Sequence, residues 1–218
     1  MFPLGIILAA GAGLRMRPLT EATPKPLLTI QGRTLLEHQI SFLSQFVTTI
    51  GVTVGYMSEQ VEKTAKKNGA SLILNSNGQG NAFWMNSPMI RSIDYPIVVI
   101  TCDNLMEFDY GALESESNMN RNLSYLLTRK APLEMLGDRV LERNGKIIEV
   151  SSDTKTDLMA TGLQVINPSH LKPVCAYDDF HEVWSDLIEN GTLCNSTVAP
   201  KKWSAIDTPA DLQEANRG

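Results

Sequence analysis

The chain has 218 residues, of which 43% are hydrophobic, and this length and composition suit one large folded domain. A formal net charge of −5 and a pI near 5.2 exclude a nucleic-acid backbone as the expected partner, because such proteins need a basic surface. Three cysteines without a CxxC pair indicate neither a disulfide framework nor a zinc site, and they favour a reduced, cytoplasmic setting: Cys102, Cys175 and Cys194.

The apolar start of the chain is too short to act in a membrane. The run from Leu4 to Ala10 has no basic region before it and leads directly into Gly11, so it does not read as a signal peptide. A membrane-spanning helix needs roughly 20 apolar residues, and no run in the sequence approaches that length. We therefore expect no membrane insertion.

The first half of the chain alternates short apolar runs with segments of helical periodicity. Strands dominated by apolar or β-branched residues are predicted at 4–9, 48–54, 71–74 and 97–101. Helices are predicted at 34–46, from a cap at Ser58 to about 68, and at 81–93. This alternation predicts an α/β fold with a mostly parallel, Rossmann-like sheet and helices on both faces.

The second half changes character and predicts that the sheet becomes mixed. Strands are predicted at 123–128, 139–141, 146–150 and 161–166. Asn144-Gly145, between the second and third of these, is typical of a β-hairpin turn. Helices are predicted at 178–189 and from Pro209 onwards, with Thr208 as the cap of the last helix.

A segment rich in glycine, proline and basic residues follows the first strand. Gly11 and Gly13 are followed by Arg15, by Arg17 and by Lys25 between two prolines. A glycine-rich turn after a buried strand lets backbone N–H groups approach a phosphate, and nearby cations suit a triphosphate. The turn lacks the Gly-Lys-Ser/Thr of a P-loop and the third glycine of a dinucleotide-binding motif. The prolines restrict the backbone that holds the Lys25 ammonium.

A carboxylate directly follows the strand predicted at 97–101. Asp103 would project from the carboxyl edge of the sheet, where ligands of open α/β sheets bind. Mg²⁺ prefers hard oxygen ligands and takes one or two carboxylates together with substrate phosphates. The alternative interpretation is an aspartate that only caps the next turn.

Together these segments resemble the sugar-1-phosphate nucleotidyltransferases, or sugar-nucleotide pyrophosphorylases, in a short single-domain form. Their N-terminal signature, Leu-Ala-Ala-Gly-x-Gly-x-Arg-[Met/Leu]-x-Pro-Leu-Thr followed by Pro-Lys-Pro-Leu, is matched at almost every position from Leu8 to Leu27. Trp203 and Ile206-Asp-Thr-Pro209 resemble the family's closing motif. The resemblance implies a GT-A-like fold in one domain, 1–218, with a nucleotide-binding half at about 1–110 and an acceptor-binding half at about 111–218.

The resemblance also implies an Mg²⁺-dependent enzyme of the EC 2.7.7 type. Such an enzyme transfers a nucleoside monophosphate from an NTP to a phosphorylated acceptor, here a sugar 1-phosphate first, and releases pyrophosphate. The product would be an NDP-sugar of the kind used for cell-envelope polysaccharides. Asp103 and Asp207 would bind the metal, and Arg15, Lys25 and Asp103 would be catalytic. Asp211 would complement the dipole of the last helix. The sequence leaves a homo-oligomer open.

The remaining residues implied by the resemblance divide between the two substrates. Those that would bind the nucleotide are Leu8, Ala9, Ala10, Gly11, Ala12, Gly13, Asn75 and Gly80. Those that would bind the acceptor are Asn104, Lys155, Thr161 and Gly162. Lys155 stands in for the lysine of a Glu-Lys-Pro motif that many family members carry after the hairpin and this chain lacks.

Three other functions are alternatives to this one. The absent Glu-Lys-Pro motif keeps open a CTP-dependent cytidylyltransferase for phosphocholine or a similar phosphate. The quaternary cation of phosphocholine usually needs an aromatic cage, for which Phe83, Trp84 and Trp184 are candidates. A non-catalytic nucleotide-binding relative would have lost the phosphate-binding cations or the metal carboxylates, which are all present here. An NAD-binding Rossmann protein would need the missing third glycine.

Overall fold

The computed structural model describes residues 1–76, 78–172 and 176–217. Cys175 of the three cysteines, and Asn77 in the loop after the third predicted strand, lie outside the described residues. Its strands are β1 (Phe2–Leu8), β2 (Thr29–Ile30), β3 (Arg33–Thr34), β4 (Val47–Val54), β5 (Leu72–Asn75), β6 (Ile97–Thr101), β7 (Asn104–Glu107), β8 (Ser124–Lys130), β9 (Arg139–Arg143), β10 (Lys146–Ser151), β11 (Leu158–Ile166), β12 (Leu193–Asn195) and β13 (Lys202–Ala205). Its α-helices are α1 (Leu35–Leu43), α2 (Ser58–Lys67), α3 (Pro88–Arg91), α4 (Tyr110–Met119), α5 (Phe180–Glu189) and α6 (Pro209–Arg217).

The first half of the chain builds the parallel part of a nine-stranded sheet. Strands β5, β4, β1 and β6 lie side by side in that order, and each neighbouring pair is parallel. The chain moves outward on one side of β1 and then crosses to its other side at β6. In open α/β sheets, ligands bind at such a switch point, at the carboxyl ends of the strands. Leu8 and Thr101 are register partners at the ends of β1 and β6. The residues that follow them are therefore the candidates for a ligand site.

The second half extends the same sheet with mixed strands. Beyond β6 the order is β11, β8, β12, β10 and β9, with β11 antiparallel to both of its neighbours. The predicted hairpin is confirmed: β9 and β10 pair antiparallel, and their turn residues Asn144 and Gly145 have φ angles of 54° and 79°. The sequence prediction of a mixed α/β sheet with helices is thus confirmed.

Hydrophobic residues cover both faces of the sheet. Ile7 and Val98 belong to one buried cluster, and Ile6 and Val99, their chain neighbours, belong to the other. Because successive side chains of a strand point to opposite faces, burial on both faces requires a continuous apolar run. This is the physical reason why the central parallel strands were recognisable in the sequence.

Two helix predictions need correction. Ser58 is the first residue of α2 and not its cap, since Met57 precedes it in a left-handed conformation without a side-chain capping bond. The predicted helix at 81–93 is broken into a 3-10 helix, Phe83–Asn86, and the single turn α3, because Pro88 has no N–H to continue a helix.

Among the described residues, no helix is long and apolar enough to span a lipid bilayer.

Candidate active site

The glycine turn after β1 borders a cavity of about 640 Å³ at the switch point. Gly13 has a φ angle of 60°, and a Cβ atom there would lie 2.8 Å from the Cβ of Lys25. Only glycine therefore allows the turn to pack against the stem of Lys25. Arg15 follows on a short 3-10 helix, Leu14–Met16, with its side chain 61% exposed at the cavity.

A two-stranded ribbon brings together two carboxylates that are distant in sequence. Strand β7 begins just after Asp103, and β13 ends just before Ile206 and Asp207. The strands pair antiparallel with Ala205 opposite Asn104, and the Ile206 N–H donates to the Asp103 carbonyl oxygen over 2.9 Å. The register of this ribbon therefore fixes Asp103 and Asp207 at the same end.

Two cations meet these carboxylates. The Lys25 Nζ lies 2.5 Å from Asp103 Oδ2 and 3.0 Å from Asp207 Oδ1. Arg15 Nη2 lies 2.9 Å from the same Asp207 oxygen. Burial lowers the pKa of Lys25, but the charges and hydrogen bonds of the two aspartates outweigh it and hold that pKa above its usual value. Lys25 is thus a cation at neutral pH.

Neighbouring polar groups hold the two carboxylates in place. Asn104 Nδ2 donates to Thr101 Oγ1 over 2.5 Å and to Asp103 Oδ1 over 3.1 Å. Asp211 Oδ2 accepts the N–H of Asp207 over 3.0 Å and the N–H of Thr208 over 2.7 Å. Burial raises the pKa of Asp211, but the hydrogen bonds from Thr208 and Asp207 outweigh it and lower that pKa. Asp211 therefore fixes the backbone of Asp207 as well as the start of α6.

The carboxylate pair fits a hard divalent cation. Both groups have an oxygen within 3.0 Å of one ammonium nitrogen, so they already converge on a single positive charge. Their side chains are 25% and 27% exposed, which leaves room for further ligands. Among the described residues there is no cluster of three or more His, Cys, Asp or Glu that could hold a metal. Such a cation would need oxygens from substrate or water, as Mg²⁺ usually does.

The residues predicted to bind a nucleotide are distributed unevenly around the first cavity. Its walls include most of the glycine turn and part of the loop after β5: Leu8, Ala9, Ala10, Gly11, Gly13, Gln79, Gly80 and Asn81. Ala12 and Asn75 are not among them, and Asn75 is exposed at the end of β5. Gly80 N–H donates to Asp178 Oδ1 over 2.6 Å. Gln79 and Asn81 were missed, although they are the sequence neighbours of Gly80, which was predicted.

A second cavity, of about 230 Å³, adjoins the first. It shares Arg15, Asp103 and Asp207 with the first cavity, and Asn104 and Gly162 also line it. Gly162 has a φ angle of 82°, and a Cβ there would lie 2.5 Å from Thr101 Oγ1. Glycine is therefore required at this point of β11.

Two residues predicted to bind the acceptor lie away from this cavity. Thr161 is fully buried, with its hydroxyl donating to the Leu127 carbonyl oxygen over 2.8 Å. Its own carbonyl oxygen accepts the indole N–H of Trp203 over 2.9 Å, so Thr161 supports a wall residue. Lys155 is exposed in the loop between β10 and β11 and lines neither cavity.

Three aromatic side chains line the second cavity, and of these the sequence analysis named only Trp184 for an aromatic cage. Phe180 and Trp184 come from α5, and Trp203 comes from β13. Trp84, named for an aromatic cage, is instead buried and donates its indole N–H to the Asn81 carbonyl oxygen over 2.9 Å. The helical spacing of Phe180 and Trp184 is the sequence signal that could have indicated a shared face.

Relatives of known function match the chain over different lengths. A bifunctional protein GlmU of Methanococcus maripaludis is 41% identical over 97% of this chain and 53% of its own length. The mannose-1-phosphate guanylyltransferase catalytic subunit beta of Drosophila melanogaster is 27% identical over 76% of this chain and 48% of its own. The choline-phosphate cytidylyltransferase of Streptococcus pneumoniae is 45% identical over 32% of this chain and 31% of its own. The chain thus spans a third to about half the length of these relatives.

Solved structures share the fold over nearly the whole chain. A Bacillus anthracis protein assigned as a glucose-1-phosphate thymidylyltransferase, crystallised with sucrose, superposes with a TM-score of 0.81 at 21% identity, covering 98% of this chain and 94% of its own. The inositol-1-phosphate CTP transferase of T. maritima superposes with a TM-score of 0.74 at 20% identity, covering 100% and 97%. The family model described as "Nucleotidyl transferase" matches residues 4–218, and the chain therefore belongs to the nucleotidyl transferase family.

Proposed function

We propose that this chain transfers a nucleoside monophosphate from an NTP to the phosphate of a small acceptor and releases pyrophosphate. The observation that carries the proposal is the meeting of Arg15, Lys25, Asp103 and Asp207 at the switch point, where two cavities join. One cavity would hold the NTP and the other the acceptor, so that the reacting phosphates meet beside these four charged side chains.

The main demand of this reaction is electrostatic. An acceptor phosphate oxygen attacks the α-phosphorus of the NTP in line with the departing pyrophosphate, so two anions must be brought together. Arg15 would bind the departing pyrophosphate, for which its exposed guanidinium is suited. Lys25 would neutralise the α-phosphate or the acceptor phosphate. No covalent intermediate with the protein is needed.

Asp103 and Asp207 would hold Mg²⁺, since their oxygens already converge on one cation. The ion, when bound, neutralises phosphate charge as a Lewis acid. Lys25 would then exchange its carboxylate partners for phosphate oxygens, keeping its own charge paired throughout. Asn104 and Asp211 would keep the two carboxylates oriented through the hydrogen bonds that they make in the structure.

The nucleotide would occupy the larger cavity. The glycine turn supplies closely spaced backbone N–H groups for its phosphates. Gln79 and Gly80, at the same cavity, are the groups that we assign to the nucleobase, and the predicted role of Asn75 there stays a prediction. Because NTPs and phosphorylated metabolites are abundant in the cytoplasm, we assign the activity to that compartment.

Sugar 1-phosphates are the first candidate acceptors, and the product would then be an NDP-sugar, for example for cell-envelope polysaccharides. The Drosophila melanogaster relative is named for mannose 1-phosphate and aligns with most of this chain. Phosphocholine is the second candidate. It is favoured by the aromatic walls of the second cavity and by the pneumococcal relative, which matches about a third of this chain.

A pyrophosphate-release assay tests the proposal. The four common NTPs are each combined with a panel of sugar 1-phosphates and with phosphocholine, in Mg²⁺ and in EDTA. We expect release with one NTP and one acceptor class, and its loss in EDTA. Release that persists undiminished in EDTA would contradict the metal role. No release with any pair, from a folded sample that binds NTP in calorimetry, would contradict the transferase activity.

A further inference from the structure

The second cavity is lined by aromatic, aliphatic, amide and carboxylate side chains. It contacts the reactive centre through Arg15, Asp103 and Asp207, whereas the glycine turn lines only the first cavity. If the proposed function holds, the part of the acceptor beyond its phosphate lies in this second cavity. Its walls should therefore indicate which acceptors fit.

We propose that the second cavity is a subsite for a positively charged group on the acceptor. The proposal rests on the proposed function and narrows its substrate class to phosphorylated small molecules that carry an ammonium group. A quaternary ammonium, as in phosphocholine, and the amino group of an amino-sugar phosphate share this chemistry.

Three aromatic rings form part of the cavity wall. Phe180 and Trp184 lie next to each other on α5, with ring centroids 6.0 Å apart, and Trp203 comes from β13. The Arg129 guanidinium already lies 5.0 Å from the ring centroid of Trp203, which shows that this indole accepts a cation. Aromatic rings attract cations through their negative faces, and they offer little to a neutral hydroxyl group.

The polar ends of both indoles are directed into the protein. Trp184 Nε1 donates to Gln164 Oε1 over 2.7 Å, and Trp203 Nε1 donates to the Thr161 carbonyl oxygen over 2.9 Å. These bonds use the only hydrogen-bond donor that an indole has. At the cavity the two tryptophans therefore act as hydrocarbon and as π-systems.

Other polar side chains in the wall are also engaged. The bond from Trp184 takes the carbonyl oxygen of Gln164, and Asn81 Oδ1 accepts the Phe180 N–H over 3.1 Å. Leu136 and Met159 add apolar surface.

Asp138 supplies a negative charge to the same cavity. Its Oδ1 lies 3.0 Å from His181 Nε2, and its side chain is 33% exposed. With Asp103 and Asp207, the lining residues include three carboxylates and the cation Arg15, and Arg129 lies against Trp203. Asp103 and Asp207 already face Lys25 and Arg15, which leaves Asp138 as the counter-ion for a charged acceptor.

Matched acceptor pairs test the proposal on the full chain. Phosphocholine is compared with 3,3-dimethylbutyl phosphate, its uncharged isostere, and glucosamine 1-phosphate is compared with glucose 1-phosphate. We expect the charged member of at least one pair to have a kcat/KM about tenfold higher. A preference confined to the first pair identifies a quaternary ammonium, and one confined to the second identifies an amino sugar. Equal rates within both pairs would overturn the proposal.

The variant Asp138→Asn removes the proposed counter-ion at a part-exposed position. It should reduce the ratio of kcat/KM for the charged acceptor to kcat/KM for the uncharged acceptor by about tenfold. Glu134→Gln is the matched control, because Glu134 is exposed on the same loop and lines neither cavity. A preference that survives Asp138→Asn unchanged would contradict the role of Asp138.

Acceptor binding, measured by calorimetry without turnover, separates this proposal from the proposed function. If no acceptor releases pyrophosphate, the transferase activity fails. The cation subsite is then decided by affinity alone: it stands if the charged acceptor binds about tenfold more tightly than its isostere and Asp138→Asn removes the difference. Equal affinities would reject it.

Discussion

Lys25 brings a positive charge to a position that two carboxylates share. Its side chain is 13% exposed, and it is held between Asp103 and Asp207 at hydrogen-bond distances. A buried ammonium is costly unless it is paired, so this arrangement is stable only while both partners are charged. The same residue is therefore a structural counter-ion in the free protein and the proposed phosphate ligand in the reaction.

Replacing Lys25 should remove most of the activity without unfolding the protein. We expect Lys25→Ala to lower kcat by about 10²–10³, the usual effect of losing one preorganised charge in an active site. Lys63→Ala, at an exposed position of α2, is the control. Steady-state pyrophosphate release measures the effect, and circular dichroism checks the fold. Activity retained within a few-fold would contradict the assigned role, and the same test applies to Asp103→Ala.

The position of Lys25 also predicts how the free protein binds divalent cations. Because the ammonium lies between the carboxylates, it competes with any cation for their oxygens. Lys25→Ala should therefore bind Mn²⁺ more tightly than the wild type in the absence of NTP, although it is inactive. Electron paramagnetic resonance of free Mn²⁺ measures this affinity. Equal or weaker binding by the variant would show that the two carboxylates are not the metal ligands.

Among individual residues, the sequence predicts some members of the candidate site and misses others. Asp103 could be assigned from residues alone, since it follows a buried strand at the edge where ligands bind. Asp207 could be assigned only through the family resemblance, because nothing in its own neighbourhood indicates the ribbon register that brings it to Asp103. The wall residue Asp138 has no motif at all, and only the three-dimensional arrangement identifies it.

Among the elements, α4 is attached to the sheet by a buried carboxylate. The Glu116 carboxylate accepts hydrogen bonds from the Thr197 N–H over 2.8 Å and from the Thr197 hydroxyl over 2.7 Å. It also accepts a hydrogen bond from the Ser196 hydroxyl. Glu116 itself is 9% exposed. It therefore fixes the segment between β12 and β13 against the helix.

Loss of Glu116 should destabilise the protein strongly. Glu116→Ala leaves the donors of Ser196 and Thr197 without their partner, and we expect the free energy of unfolding to fall by about 3 kcal/mol. Urea unfolding followed by circular dichroism measures the change. Glu62→Ala removes a carboxylate from an exposed ion pair with Lys66 and should cost under about 1 kcal/mol. Similar values for both variants would contradict the structural role of Glu116.

Helix α5 carries a carboxylate that makes stability depend on pH. Burial raises the pKa of Asp186, but hydrogen bonds from the Lys172 N–H and the Tyr177 hydroxyl and the Lys172 charge outweigh it, so the net pKa is lowered. A carboxyl group whose pKa is lower in the folded state stabilises the protein above its ordinary pKa. That stabilisation is lost as the pH falls through the lowered value.

Asp186→Asn should therefore make the Tm of the protein less dependent on pH in the acid range. Below about pH 4 the wild-type Tm should fall more steeply with pH than the Tm of the variant. Glu189→Gln, at an exposed position of the same helix, should keep the wild-type slope. Differential scanning fluorimetry between neutral and acid pH measures both. Parallel curves for the wild type and Asp186→Asn would show that Asp186 does not contribute.

The predicted strands of the parallel half share one property: their hydrophobic pattern is strong enough to identify them alone. Strands β1 and β6 are nearly continuous apolar runs that are buried on both faces. The ribbon strands β7 and β13 and the helix α4 were not predicted. Each is short or weakly patterned, and its structure depends on pairing or packing with distant residues.

On the scale of the whole molecule, the two predicted halves share one sheet and one pair of cores. Strand β6 of the first half pairs with β11 of the second over four residues. Each hydrophobic cluster contains residues from both halves, such as Ile7 with Val165 and Ile6 with Leu126. Neither half would retain a complete core by itself.

The chain should therefore unfold as a single cooperative unit. Differential scanning calorimetry should give one transition whose calorimetric and van't Hoff enthalpies agree, which is the standard test of two-state unfolding. Two separate transitions would indicate independent domains and contradict the prediction of one domain over residues 1–218. A fragment containing residues 1–110 alone should lack a cooperative transition.

The ribbon of β7 and β13 also has a consequence for synthesis of the protein. Asp103 emerges from the ribosome about a hundred residues before Asp207, and the two are joined only when β13 has paired with β7. A nascent chain can form its glycine turn and parallel strands well before that point. Until then it lacks the second carboxylate of the proposed metal site. If the proposed function holds, activity therefore begins only after β13 has paired with β7.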